Sequence, residues 1–196
     1  MFTKTRKNLS NILGWSTKRK LVVLESDDWG SIRTRSKVDY EAMLLKKIDV
    51  DKSNFTRYDS LESNDDLERL FETLYKHKDF KGSTAVFTPM CVVANPNFEL
   101  IKASDFNEYY YEPFSDTCIR YPNHDRVHKL WLEGIKNRFF LPQFHGREHL
   151  NVKRWMQALK LKDKGLHIMF DHQSIGACHF ENKQIAEHLA AFSPQK

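Results

Sequence analysis

The chain has 196 residues, enough for one domain with a real core. Hydrophobic residues make up 40%, aromatics 13% and charged residues 29%, which excludes a disordered or fibrous chain and fits a soluble enzyme or binding domain. The formal charge of +5 would suit an acidic partner, but the signs are interspersed, so nucleic acid is not expected.

The first feature in chain order is basic: Lys4, Arg6, Lys7, Lys18, Arg19 and Lys20 precede the first acid, Glu25. Residues 1–19 read as a solvated segment ahead of an α/β domain over residues 20–196. Lys20 to Ser26 holds a Leu-Val-Val-Leu run, too short for a helix, which predicts a buried strand with Asp27 and Asp28 at its C-terminal edge. Adjacent ionised carboxylates repel, so a neutralising partner is expected nearby.

From Ser63 to Lys78, Leu67, Leu70, Phe71, Leu74 and Tyr75 recur at helical spacing behind an "SNDD" start, predicting an amphipathic helix. Thr84 to Thr88 predicts a second strand that Pro89 closes or turns. A loop rich in Phe106, Tyr109, Tyr110, Tyr111 and Phe114 follows, then a helix with Val127, Leu130, Trp131 and Ile135 on its apolar face. Phe139 to Phe144 reads as a third strand, irregular at Pro142, with His145 at its end, and "VKRWMQALKL" as another helix. Alternating strands and helices predict an α/β sheet or barrel of parallel units, with chemistry at the carboxyl ends of the strands. Asp27, Asp28, His145 and His149 fall there.

Cys91, Cys118 and Cys178 are odd in number and widely spaced, which argues against a disulfide framework or a thiolate zinc site. A metal would therefore fall to His and carboxylate. Two imidazoles and one carboxylate leave positions open for water and substrate, the pattern of a catalytic centre; zinc suits it best, with iron, cobalt, nickel or manganese as alternatives. Such a cation would cancel the repulsion at the Asp pair. No apolar run reaches membrane-span length and no signal-peptide pattern opens the chain, so a cytoplasmic protein without an integral membrane segment is expected.

These residues resemble the NodB-homology polysaccharide deacetylases, carbohydrate esterase family four. The first motif of that family is an Asp-Asp pair ending the first strand, and the second is H-x-x-x-H ending the third; here they stand in "ESDDWG" and "FHGREHLN". The resemblance spans about residues 20 to 160 and implies a partial or distorted (β/α) barrel of the polysaccharide deacetylase type. It implies Asp27 as general base and Asp28, His145 and His149 as metal ligands, removing N- or O-acetyl groups from a carbohydrate. A backbone N–H near the end of the second strand would help hold the oxyanion. Three positions depart from the family pattern: Glu25-Ser26 replaces Thr-Phe, Gly146 a Ser or Thr, and Leu150 a Pro. The later family motifs, including the histidine that serves as general acid, do not follow Leu150. The chain therefore reads as the N-terminal part of a longer barrel, unless Asp171 and His172 in "MFDHQS" replace the missing parts.

Trp29, Arg33 and Tyr110 are candidate substrate contacts, since sugars stack on exposed aromatics and an arginine beside the pair would orient the base or meet an acidic sugar. Packing is the plainer role for the aromatics and solvation for the arginine. "HGREH" also satisfies H-x-x-E-H, a zinc-peptidase motif with Glu148 as general base and Glu181 or Glu187 as third ligand. That chemistry needs a regular helix, which Gly146 and the preceding proline-containing run oppose, and it leaves the Asp pair unexplained. His124 and His128 share the same spacing but lie on an ordinary amphipathic helix. Asp27 and Asp28 would also serve as a simple helix cap near Ser31. The non-enzymatic alternative is a chain that binds metal or glycan without turnover.

Overall fold

The computed structural model describes residues 14–52 and 54–175. It contains five strands: β1 (Leu24–Trp29), β2 (Phe87–Val92), β3 (Ala94–Pro96), β4 (Tyr111–Pro113) and β5 (Gln143–Gly146). β1, β2 and β5 form one parallel sheet with β2 at its centre, and β3 and β4 form an antiparallel pair. The fold is mixed α/β as expected, and among the described residues the parallel sheet is open rather than closed into a barrel.

The first strand is displaced from its expected place. It begins at Leu24 rather than Lys20, and Val22 and Val23 before it are 85% and 70% exposed. β1 is an edge strand, so the apolar run flanks the sheet instead of entering it. Only its carboxyl end reaches the core, through Trp29, which packs against Phe87, Trp131 and Phe140.

Pro89, expected to end the second strand, lies buried within it. Phe87 donates to the Phe139 carbonyl and accepts from the Leu141 N–H, so residue 89, two positions on, presents its missing N–H toward the same neighbour. That neighbour also carries a proline: pairing lapses at Pro142, between the isolated Phe87–Phe140 bridge and the Met90–Gln143 pair. The third strand is therefore Gln143–Gly146, and His145 lies inside it rather than after it.

The helices are α1 (Lys37–Leu45), α2 (Asn54–Tyr58), α3 (Asn64–Lys76), α4 (Phe98–Ala103), α5 (Phe114–Arg120), α6 (Val127–Lys136), α7 (Val152–Lys160) and α8 (Lys164–Asp171). α3, α6 and α7 match the expected helices within a few residues. α3 starts with a capping box in which Ser63 and Asp66 satisfy each other's backbone N–H groups. Gly134 lets α6 approach α3, since a Cβ there would lie 2.6 Å from the Phe71 ring. One core cluster lies beneath the sheet, with Leu67, Cys91, Leu130, Trp131 and Phe140; another gathers Phe98, Ile101, Trp155, Leu159, Leu166 and Phe170. Tyr121 packs against both. No described helix is long and apolar enough to cross a membrane.

Candidate metal centre

Two local irregularities create the site. Between Ser26 and Trp29 the β1–β2 register shifts, so that Asp27 and Asp28 together face one residue of β2. Between Cys91 and Val92 the β2–β5 register shifts in the same sense, leaving His145 as the extra residue of β5. A bulge breaks the strict alternation of side chains and re-aims one of them. The two bulges flank the end of β2, one opposite Met90 and the other between Cys91 and Val92. β1 and β5 are two strand spacings apart, about 9.5 Å, yet Asp28 Oδ1 and His145 Nε2 come within 3.5 Å. Asp28 adopts a positive φ of 62°, a conformation that Asp tolerates better than most residues.

His149 completes the group. Its ring stacks on that of His145 with centroids 5.3 Å apart and planes 10° from parallel. One ligand atom from each of Asp28, His145 and His149 lies within 4.8 Å of the others, and all three residues are partly buried. Two of the buried atoms here, Asp28 Oδ1 and His149 Nδ1, have no hydrogen-bond partner. Buried polar atoms are normally satisfied, so a pair of them beside a carboxylate and two imidazoles fits a cation held between them.

The other oxygen of Asp28 accepts from Arg33, which is 4% exposed and also lies 3.7 Å from Asp59. Arg33 is thus a buried anchor for the carboxylate rather than a solvated side chain. The segment that delivers it is pinned by backbone accounting: Asn95 accepts from the Ile32 N–H and donates to the Gly30 carbonyl, and Glu62 accepts from Gly30 N–H and the Trp131 indole. Burial pushes the Glu62 carboxyl above its ordinary range, against the bonds it accepts. Gly30 has φ 79°, and a Cβ there would lie 2.8 Å from the Val92 carbonyl, so glycine is required.

Asp27 is exposed and lines a cavity of about 480 Å³ together with Asp28, Ser31, Arg33 and Asp59. Burial raises the Asp59 carboxyl above its usual range; Arg33 opposes the rise, and Asp28 and Asp27 add to it. Phe55 and Tyr58 of α2 form part of the same cavity wall. Sequence reasoning missed Phe55, Tyr58 and Asp59. The signal was present in "NFTRYDS", where two aromatics stand three apart among polar residues just before an acid.

Among the remaining candidates, Trp29 packs on the core beneath the sheet and also lines this cavity, whereas Tyr110 packs on the helical cluster with its hydroxyl donated to Glu108. Residues 145–149 are not helical, and the buried Glu148 carboxylate is gripped by Arg147 at 2.6 and 2.7 Å, an arrangement unlike a peptidase base. His172 is bonded to Asp39 of α1 at 2.9 Å, and Asp171 to Lys102. Both ring nitrogens of His124 face carbonyl oxygens, and His128 is exposed on α6. Cys91 and Cys118 are free and buried, and burial pushes the Cys118 thiol up to about 12. Cys178, Glu181, Glu187 and the basic residues Lys4, Arg6 and Lys7 lie outside the described residues. No family model, curated protein or solved structure matches the chain.

Proposed function

We propose that the protein is a metal-dependent hydrolase that removes N- or O-acetyl groups from a carbohydrate, on a partial or distorted (β/α) barrel. The reading is carried by one observation: Asp28, His145 and His149 converge from opposite edges of the sheet, with Asp28 Oδ1 and His149 Nδ1 buried and unpartnered. A divalent ion held by these three residues, zinc first and iron, cobalt, nickel or manganese otherwise, would supply Lewis acidity at the acetyl carbonyl.

The chain's own residues do the rest. Asp27 takes a proton from the attacking water as the new C–O bond forms, and that proton is then available to the departing amine or alkoxide as the C–N or C–O bond breaks. Its exposure gives it access to the cavity, while its neighbour Asp28 is fixed by Arg33. With one carboxylate oxygen occupied by the guanidinium, Asp28 presents Oδ1 alone to the ligand position.

The test is acetate release from N-acetylated chitooligosaccharides, acetylated xylooligosaccharides and an aryl acetate by the zinc-loaded protein. Asp27→Asn should lower release by about 10²- to 10⁴-fold while zinc binding, read by calorimetry, persists. Zinc binding without release from any of these substrates would instead identify a non-catalytic metal- or glycan-binding module.

A further inference from the structure

The cavity beside Asp27 has two unlike walls. One is polar and holds Ser31 and Arg33, both 4% exposed, whose Oγ and Nε atoms make no hydrogen bond. The other is short helix α2, which presents Phe55 at 64% and Tyr58 at 69% exposure, three residues apart and so on one helical face. Arg57 lies 5.2 Å from the Tyr58 ring centroid and steadies it without covering it. Neither ring is needed by the core clusters.

An aromatic shelf facing Ser31 Oγ, which makes no hydrogen bond, and Arg33 Nε, which lies 3.7 Å from Asp59 without a hydrogen bond, matches a ligand with apolar C–H faces and hydroxyl edges. That ligand is a pyranose ring, and about 480 Å³ falls in the range of small-ligand sites. The charge narrows the choice. Asp27 and Asp59 open on the cavity, and its guanidinium, Arg33, is already engaged by Asp28. A uronic-acid or sulfated sugar would meet like charge from Asp27 and Asp59 along the described lining, where Arg33 is the one cation.

We infer that Phe55 and Tyr58, opposite Ser31 and Arg33, form a sugar subsite that accepts an uncharged or amine-bearing oligosaccharide and rejects an acidic one. The subsite rests on the deacetylase reading for its purpose, because it would seat the sugar whose acetyl group reaches Asp27.

The experiment is calorimetric titration of the full chain with an N-acetylglucosamine tetramer, an acetylated xylotetraose and a galacturonic acid tetramer, in chelator so that no turnover intervenes. A neutral tetramer should bind at least about tenfold more tightly than the acidic one. The Phe55→Ala/Tyr58→Ala protein should lose about tenfold or more in that affinity, with Tyr58→Phe near the parent. Asp59→Asn should narrow the gap between neutral and acidic sugars. Thermal melting and zinc affinity should be unchanged in the Phe55 and Tyr58 variants, since both rings are exposed. Equal binding of acidic and neutral tetramers, or full affinity in the double alanine variant, would overturn the subsite. Aryl acetate hydrolysis separates the two readings. Release of acetate without tetramer binding sinks the subsite and leaves the hydrolase. Tetramer binding through Phe55 and Tyr58 without any release upholds the subsite and sinks the hydrolase.

Discussion

Two pairs of histidines stand four residues apart in this chain, and only one pair is placed to ligate. His124 and His128 bracket the start of α6: one ring faces the Pro122 and Leu61 carbonyls, and the other points to solvent. His145 and His149 span a bulged strand end, stacked beside an aspartate, with a buried nitrogen unpartnered. The spacing is identical and the backbone is not. Ligand geometry here comes from an extra residue in a parallel ladder and from a carboxylate delivered across a central strand, neither of which is a property of the motif itself.

The largest expected effect tests the comparison directly. His145→Ala or His149→Ala should weaken zinc binding by more than about 100-fold, measured by competition with a chromogenic chelator, whereas His124→Ala and His128→Ala should leave it unchanged. Loss from the α6 pair would reverse the assignment.

Next comes Arg33→Met, which leaves Asp28 and Asp59 facing each other without their cation. Zinc affinity should fall by about 10- to 100-fold, because the carboxylate loses its fixed orientation. A drop in stability with intact affinity would make Arg33 purely structural.

Glu62 joins the two regions, since its carboxylate holds Gly30 and Trp131 while the adjacent Leu61 carbonyl faces His124. Glu62→Gln leaves one of the two N–H donors without an acceptor. It should cost about 1–3 kcal/mol in urea unfolding and loosen the site more than the α6 pair.

The smallest effect concerns a third kind of histidine environment. Burial opposes ionisation of Asp39, but hydrogen bonds from Arg35, Ser36 and His172 outweigh it and hold its carboxyl at about 2, below the ordinary 3.8. The unfolded chain therefore binds more protons than the native one between these values, and stability rises with pH there. Asp39 contributes fully above about pH 4, and the contribution is lost as pH falls toward 2. Asp39→Asn should flatten that part of an acid-unfolding curve.

Much of this was legible from residue types and periodicity. The helices α3, α6 and α7 carry an apolar stripe, α3 behind a capping start as well, and Asp27, Asp28, His145 and His149 stand out as chemistry at expected strand ends. What escaped were features set by neighbours rather than by local pattern. The burial of a strand depends on whether it lies at an edge, so Val22 and Val23 misled. Pro89 is tolerated because its missing N–H falls where Pro142 interrupts the ladder. Arg33 looks like any solvated arginine until the fold closes over it. The α2 aromatics were hidden because a helix of five residues has too few turns to show a period.

The twin bulges carry an unusual consequence for how the site is encoded. Deleting Asp27 or Gly146 would restore an unbroken alternation in β1 or β5 while leaving all three would-be ligands in the chain. Asp28 would then take a regular strand position opposite Met90, or His145 one opposite Val92, without the bulge that aims it. The centre is thus written in residue count as much as in residue identity, and shortening either strand by one should erase it as thoroughly as mutating a histidine.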